Sequence, residues 1–409
     1  MTASVKNAVK SRYHLFLAWL GSVIYQHPSR KLFVIGVTGT KGKSTVTELI
    51  NAILEAAGKK TSISSSVRFK IGEKTYPNHT GMSMPGRFFL QRFLADAVRN
   101  HCDYAIIETT SQGALQFRHR FIDFDVAVIT NLEPEHIEAH GSFENYRDSK
   151  VGFFRDVALH SKKKNKVFVI NGHARDYEFF SSAVTGWGRI VLFDQKEITA
   201  AKLKTRLLGE FNRENIAAAV AFARSQNIDW DTIRVAIESF DGVPGRLEFV
   251  QRIPFPVIID YAHTPDSLEK VYKTLRGEMK KGSGQKLICV LGAAGGGRDM
   301  WKRPVMGEIA GQYCDQIILT DEDPFDEDPQ EIIDEIGSGI MDGAKKKVRK
   351  ILDRRDAIRA AVKAAKKGDT VIITGKGSES SMRMAKGRKL AWNEREIVAK
   401  ILNSERIEM

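Results

Sequence analysis

The sequence predicts an α/β protein of parallel sheets covered by helices, and three observations carry that prediction. Short runs of Val, Ile and Leu alternate with helix-period segments along nearly the whole chain. A glycine-bearing loop sits between one such run and the helix that follows it, the setting of a phosphate-binding P-loop. The theme then restarts after a Gly/Pro stretch, "DGVPGRLEFV" at 241–250, which reads as an interdomain hinge. The expected organisation is a short helical segment (1–30), a central P-loop domain with a mostly parallel sheet (31–244) and a C-terminal, doubly wound Rossmann-like domain (245–409).

Taken in order, "YHLFLAWLGSVIY" at 13–25 is apolar but falls short of the ~20 residues that span a bilayer. It follows Lys6, Lys10 and Arg12 without a small-x-small cleavage site, so it reads as a helix rather than a secretion signal. Packing against the next domain is the first reading of that helix, and peripheral contact with a membrane interface is the alternative. "KLFVIGV" is a strand entering the loop, and "STVTELINAILEAAG" is a helix for which Gly58 makes a C-terminal stop. "YAIIE" (104–108), "VAVIT" (126–130) and "VFVI" (167–170) are short buried strands that end at polar residues, where ligands gather in open α/β sheets. Beyond the hinge, "PVIIDY", "KLICVLG", "QIILT" and "VRKIL" precede helices starting near 266, 303, 329 and 354, and "TVIITG" precedes the terminal helix.

Composition narrows the function classes. With 409 residues, 42% hydrophobic and 28% charged, the chain can bury a sizeable core and is neither disordered nor repetitive. Its net charge of +13 is spread along the chain, and no nucleic-acid motif accompanies the clusters at 162–164 and 345–347. The charge therefore reads as a solvated basic surface and a site for phosphates, with no nucleic-acid partner. Cys102, Cys289 and Cys314 show neither paired nor metal-binding spacing, which fits a reducing cytoplasm.

The loop reads Gly39-Thr40-Lys41-Gly42-Lys43-Ser44-Thr45. Its backbone N–H groups and the helix N-terminus favour phosphate oxygens, Lys43 supplies a positive charge, and Ser44 can hold Mg²⁺. The usual P-loop glycine is missing at Val37. Glu108 ends the next strand and His136 follows the one after; both are metal or water-positioning candidates by position alone.

The order of these parts resembles the Mur ligase family, ATP-dependent enzymes that add amino acids to the cell-wall peptide. The resemblance covers nearly everything from residue 34 and is closest to the branch that adds the third residue, the MurE type. It is carried by "GTKGKST", "TNLEPEHIEAHGSFENYRDSK", "GEFNRENIAAA", "GVPGRLE", "DYAHTPDSLEK", "GRDMWKRPVMGEIA", "DEDPFDEDP" and "GKGSE". The family's loop starts at the place of Gly39, which accounts for Val37. The resemblance implies a central ATPase domain in which Gly39 to Thr45 bind ATP, Lys43 takes the β- and γ-phosphates, Ser44 and Glu108 hold one Mg²⁺ and His136 a second. Lys150 falls where the family carries a lysine carbamylated by CO₂. Asn215 would contact adenine; Arg246, Asp260 and His263 would complete the nucleotide site; Thr80 would contact the acceptor. Arg298 and Lys302 would position the amino acid or acyl phosphate, and Asp323, Pro324, Phe325, Gly375 and Glu379 would line the incoming amino acid. The implied reaction phosphorylates a peptide carboxylate to an acyl phosphate, which an amine then attacks, with domain closure excluding water.

Three departures qualify the resemblance. Only about 33 residues precede the strand entering the loop, so the expectation is that the usual UDP-gripping front domain is absent. Diaminopimelate-adding members read D-N-P-R where this chain reads Glu322-Asp323-Pro324-Phe325, which argues for a lysine-like or other amine-bearing substrate. Gln112, Gly297 and Ser378 stand where the family often has His, Asp and His, implying a divergent pocket. A folylpolyglutamate ligase, the Mur-like half of cyanophycin synthetase, and a basic nucleotide-binding or membrane-associated protein without ligase activity remain as alternatives. The oligomeric state is not legible.

Overall fold

The computed structural model describes residues 3–133, 140–280, 282, 284–297 and 299–407, and the chain forms two compact units, Met1–Asp241 and Gly242–Met409.

In the first unit a helix α1 (Ala3–Ile24) precedes the strand β1 (Phe33–Thr38) and the helix α2 (Lys43–Ala56). Next come β2 (Thr61–Ser64), β3 (Arg68–Ile71), β4 (Lys74–Pro77), α3 (Arg87–Arg99), β5 (Tyr104–Glu108) and α4 (Ser111–Leu115). They are followed by β6 (Val126–Ile129), α5 (Phe143–His160), β7 (Val167–Asn171), α6 (Tyr177–Val184), β8 (Arg189–Phe193), α7 (Gln195–Ala200), α8 (Glu210–Ser225) and α9 (Trp230–Ser239). The eight strands make one sheet in the order β4-β3-β2-β5-β1-β6-β7-β8. β1 is central and pairs in parallel with β5 and β6. Alternate residues of the strands feed two cores: Ile35, Val37, Ile106 and Val128 pack with α2 and α8, whereas Val34, Ile107, Ala127 and Ile129 pack with α3 and α5. Both faces are covered, which is why these strands are apolar at nearly every position.

The polar stretch 61–77 adds an antiparallel edge, β2-β3-β4. Its second hairpin turns at Gly72 (φ 58°), where a positive φ suits a two-residue turn. α1 packs on α3, burying Ala18, Gly21 and Ser22; a Cβ at Gly21 would lie 3.6 Å from the Phe88 ring. Among the described residues, no helix is long and apolar enough to cross a membrane.

The second unit comprises β9 (Glu248–Gln251), β10 (Val257–Asp260), α10 (Pro265–Glu278), β11 (Leu287–Leu291), α11 (Lys302–Tyr313), β12 (Gln316–Leu319), α12 (Pro329–Ser338) and β13 (Val348–Lys350). α13 (Arg354–Ala364), β14 (Thr370–Thr374), a β15–β16 hairpin (Ser381–Arg383, Lys389–Ala391) and α14 (Glu394–Ile407) complete it. Its sheet runs β13-β12-β11-β14-β10-β9, parallel except for β9. The stretch read as a hinge thus ends in structure: Val243 bridges to Arg246, and Glu248 begins the antiparallel edge strand.

The cysteine reading needs correction, because Cys289 and Cys314 are joined as a disulfide and only Cys102 is free. Their sequence separation hid a short path in space. Cys289 lies in β11, and Cys314 stands just before β12, which pairs with β11.

Arg354 of α13 and Glu394 at the start of α14 form an ion pair of 2.5 Å with both side chains buried, and Arg354 also donates to Thr374 O at 2.7 Å. Removing one partner leaves an uncompensated buried charge. Glu394→Ala is expected to destabilise the second unit by ~3–5 kcal/mol, read as a lowered denaturant midpoint of that unit.

Candidate functional site

The first unit concentrates its polar chemistry at the C-terminal ends of β1, β5 and β6. Gly39 (φ 145°) and Gly42 (φ 77°) turn the chain from β1 into α2. A Cβ on Gly39 would lie 1.8 Å from Thr130 Oγ1, and one on Gly42 would lie 2.1 Å from Asn215 Oδ1. The loop is therefore clamped between the end of β6 and α8. Asn215 is oriented by its donation to Asn212 Oδ1 at 3.0 Å. Thr130 donates to Lys41 O at 2.6 Å, and Asn131 accepts from Lys41 N at 2.9 Å and from Thr40 N at 3.0 Å.

Two lysines converge on this loop. Lys43 donates to Gly39 O at 3.0 Å and Thr40 O at 2.8 Å, and Lys150 donates to the same Gly39 O at 2.8 Å. Lys150 is buried on α5, which Ser142 caps by accepting from Asn145 N. Tyr146, four residues earlier, shares its helical face; the Lys150 ammonium lies 4.6 Å over the Tyr146 ring, and Tyr146 Oη donates to Thr40 Oγ1 at 3.0 Å.

Ser44 begins α2 beside Glu108 at the end of β5. Its hydroxyl is 3.3 and 3.4 Å from the two Glu108 oxygens, and Ser66 binds Glu108 Oε2 through its backbone N–H (2.7 Å) and hydroxyl (3.0 Å). A buried carboxylate beside a hydroxyl at the N-terminus of a helix suits Mg²⁺, which takes few protein oxygens and keeps places for phosphate and water. Among the described residues there is no group of three or more His, Cys, Asp or Glu that would form an all-protein cage. Thr45 is buried in the first turn of α2. Thr80 donates to Asn78 Oδ1 at 2.6 Å, and Asn78 donates to Ser65 O, so Thr80 is tied to the segment carrying Ser66. His136 lies outside the described residues. His140, after it, contacts Ser111 Oγ at 3.1 Å and stacks edge-on to Tyr146. A cavity of about 400 Å³ opens beside the loop, lined by Asn131, Glu133, His173, Phe193 and Asp194 among others.

In the second unit, Asp260 ends β10 and accepts from Leu247 N and Ala262 N, each at 2.7 Å. Arg246 lies 4.3 Å over the Tyr261 ring, and the His263 ring lies 4.6 Å from it. Tyr261 Oη donates to Glu379 Oε1 at 3.1 Å, so the residues expected at the nucleotide and those expected at the amino acid meet on Tyr261. Lys376, fully buried, spans Asp323 (2.7 Å) and Glu379 (2.5 Å). Burial works to lower the Lys376 ammonium, but Glu379 and Asp323 outweigh it and hold its pKa above the ordinary value. Phe325 adopts φ 54°, and its ring faces Gly296, where a Cβ would lie 3.3 Å away. Pro324 O lies 2.2 Å from where a Gly295 Cβ would stand. Lys302 is buried at the start of α11, next to Arg303, which pairs with Glu327 (2.7 Å) and Glu335 (2.8 Å). Arg298 lies outside the described residues.

Glu322 is buried beside Gly375 (φ 109°), where a Cβ would fall 2.2 Å from Glu322 Oε2. Burial pushes its pKa up to about 7, against the pull of Arg354 and Lys376.

Sequence reasoning missed Ser66, Thr130, Asn131, Tyr146, Tyr261 and Lys376. Thr130, Asn131, Tyr146, Tyr261 and Lys376 stood inside the quoted segments, whereas Ser66 lies in "SISSSV", which carries no motif.

Comparison with known proteins bears on the family and fold of the chain. The family descriptions "Mur ligase middle domain" and "Mur ligase, glutamate ligase domain" match residues 37–199 and 245–377. A relative from Syntrophomonas wolfei, named UDP-N-acetylmuramoyl-L-alanyl-D-glutamate–2,6-diaminopimelate ligase, is 36% identical over 95% of this chain and 82% of its own length. A solved structure titled with the same enzyme name superposes with a TM-score of 0.61 at 27% identity, covering 92% of this chain and 79% of that one. A folylpolyglutamate synthase from Mycobacterium tuberculosis superposes with a TM-score of 0.70 at 19% identity, covering 88% and 92%, which shows a shared fold.

The raised Glu322 carboxyl sets a pH dependence. Its folded pKa of about 7 lies above the ordinary 4.5, so its protonated form is the one the fold favours. That contribution is fully present below about 4.5 and is lost as pH rises through about 7. Glu322→Gln is therefore expected to gain thermal stability relative to the parent between pH 5 and pH 8, as read by paired melting curves.

Proposed function

We propose a substrate class and residue roles from one premise: the chain belongs to the Mur ligase family and is an ATP-dependent acid–amino-acid ligase. The carrying observation is the clamped loop on which Lys43 and Lys150 converge, beside the Ser44–Glu108 pair. In this reading the backbone N–H groups at the start of α2 and the Lys43 ammonium hold the β- and γ-phosphates. Ser44 and Glu108 hold Mg²⁺, and His136 would serve a second ion. When bound, the metal supplies charge neutralisation as phosphate moves between two anions. Asn215 and the neighbouring cavity receive the adenine, and Arg246, Asp260 and His263 are proposed as nucleotide-binding residues of the second unit.

Lys150 is proposed to be carbamylated. Two ammonium groups on one carbonyl oxygen repel, and a carbamate would turn the Lys43–Lys150 repulsion into attraction while its N–H still donates to Gly39 O. The acceptor is proposed to be a muramoyl-peptide-like carboxylate, the class named for the Syntrophomonas relative, with Thr80 beside it. The cytoplasm is proposed as the site of the reaction from the supply of ATP alone, since the Cys289–Cys314 disulfide removes the support that three free thiols would give.

For the incoming amino acid, Asp323, Glu379 and Lys376 sum to one negative charge, which complements one ammonium. Phe325 offers no cation to a distal carboxylate. Lys302 and Arg298 would position the α-carboxylate or acyl phosphate. A lysine-like amine is therefore favoured over diaminopimelate.

Lys43→Ala is expected to lower amino-acid-dependent ADP formation ~10²–10³-fold. Lys150→Ala should abolish it as well, with partial recovery in Lys150→Glu; full activity in Lys150→Arg would exclude the carbamate. In a panel of amino acids with a muramoyl dipeptide acceptor, phosphate release should be fastest with lysine or another diamine, and equal turnover of diaminopimelate would refute the assignment to Phe325.

A further inference from the structure

The apolar stretch at 13–25 is unexplained by ligase chemistry. α1 spends one face on the first unit, burying Ala18, Gly21 and Ser22. Helical spacing puts Tyr13, Phe16, Val23 and Ile24 on the opposite face. They are 58%, 52%, 41% and 56% exposed, and Trp19, at the margin, is 44% exposed with its ring 5.8 Å from Phe16. A helix on a water-facing surface normally turns charged and polar residues outward. This one turns aromatic and branched aliphatic residues outward.

The charge on the same helix has a single sign. Lys6, Lys10 and Arg12 lie on α1, Lys31 follows it exposed, and no Asp or Glu occurs between residues 3 and 24. We propose that this face of α1 docks on an anionic lipid bilayer, with the helix lying in the plane of the interface. Tyr and Trp rings suit the boundary between headgroups and chains, and an apolar helix face flanked by Lys and Arg inserts ~5–10 Å into it. The helix is too polar to cross the membrane. A second copy of the chain fits less well, because a two-fold contact sets the face against itself and gives the cations on α1 no acid on the facing α1 to pair with. The inference stands on α1 alone and does not depend on the reaction assigned to the loop.

Flotation of the full chain with lipid vesicles tests it. The protein should float with vesicles of phosphatidylcholine containing phosphatidylglycerol, remain unbound with phosphatidylcholine alone, and be released by added salt. Phe16→Glu should lower the partition coefficient ~10-fold or more, and Arg12→Glu at least ~5-fold. Val235→Glu, at an exposed apolar residue on α9, should leave it unchanged. Melting temperature and ADP formation should be unaltered in Phe16→Glu, which separates lost docking from lost folding. Absence of flotation, equal flotation of Phe16→Glu, or a lipid-free dimer that Phe16→Glu dissociates in light scattering would overturn the proposal.

Discussion

Between β1 and α2 the backbone passes so close to Thr130 and Asn215 that residues 39 and 42 have no room for a side chain. Much of the first unit's chemistry depends on that approach. With the loop pressed against β6 and α8, its Gly39 and Thr40 carbonyls face the lysines, and its Thr40 and Lys41 amides are taken by Asn131. The carbonyl of Gly39 is the shared point: it receives one lysine from the loop's own helix and one from a helix more than a hundred residues later. Without the glycines, β1 could still pair with its neighbours, but Lys43, Lys150 and Tyr146 would lose their common reference.

Buried charge is mostly partnered in both units. Four buried ions have counter-charges or hydrogen-bond donors brought to them from elsewhere in the chain, Glu108 by Ser66 and Ser44, Lys376 by Asp323, Arg354 by Glu394, and Arg303 by Glu327 and Glu335, whereas Glu322 is buried with one oxygen unbonded. Such pairs are costly to break and add little stability when intact. Their effect is to fix where elements meet. Arg303 holds the segment after Pro324 to α11, and Tyr261 holds Glu379 to the turn after β10.

The central parallel strands were legible because both faces are buried, so "VAVI" and "VFVI" are apolar at every step. The edges were not. β2, β3 and β4 are polar or half-exposed, β8 is partly exposed, and the β15–β16 hairpin is only three residues a side. The loop, Glu108 and His136 were singled out by strand-end position, and Asp260 with the remaining site residues came through family resemblance. Contacts made by topology were illegible: Ser66 on Glu108 crosses 42 residues, and the Cys289–Cys314 bond depends on which strands are neighbours. Lys376 stood in a quoted motif, but its burial between two carboxylates follows from tertiary structure alone.

The backbone at Phe325 has an evolutionary consequence. A φ of 54° strains any residue with a branched or bulky side chain, and the conformation is held by donation from Phe325 N to Arg383 O at 3.0 Å. Phenylalanine and arginine would bear a similar strain there, so a lineage can exchange one for the other without rebuilding the loop. The exchange would add or remove a cation beside Gly296 while the backbone around it stays unchanged.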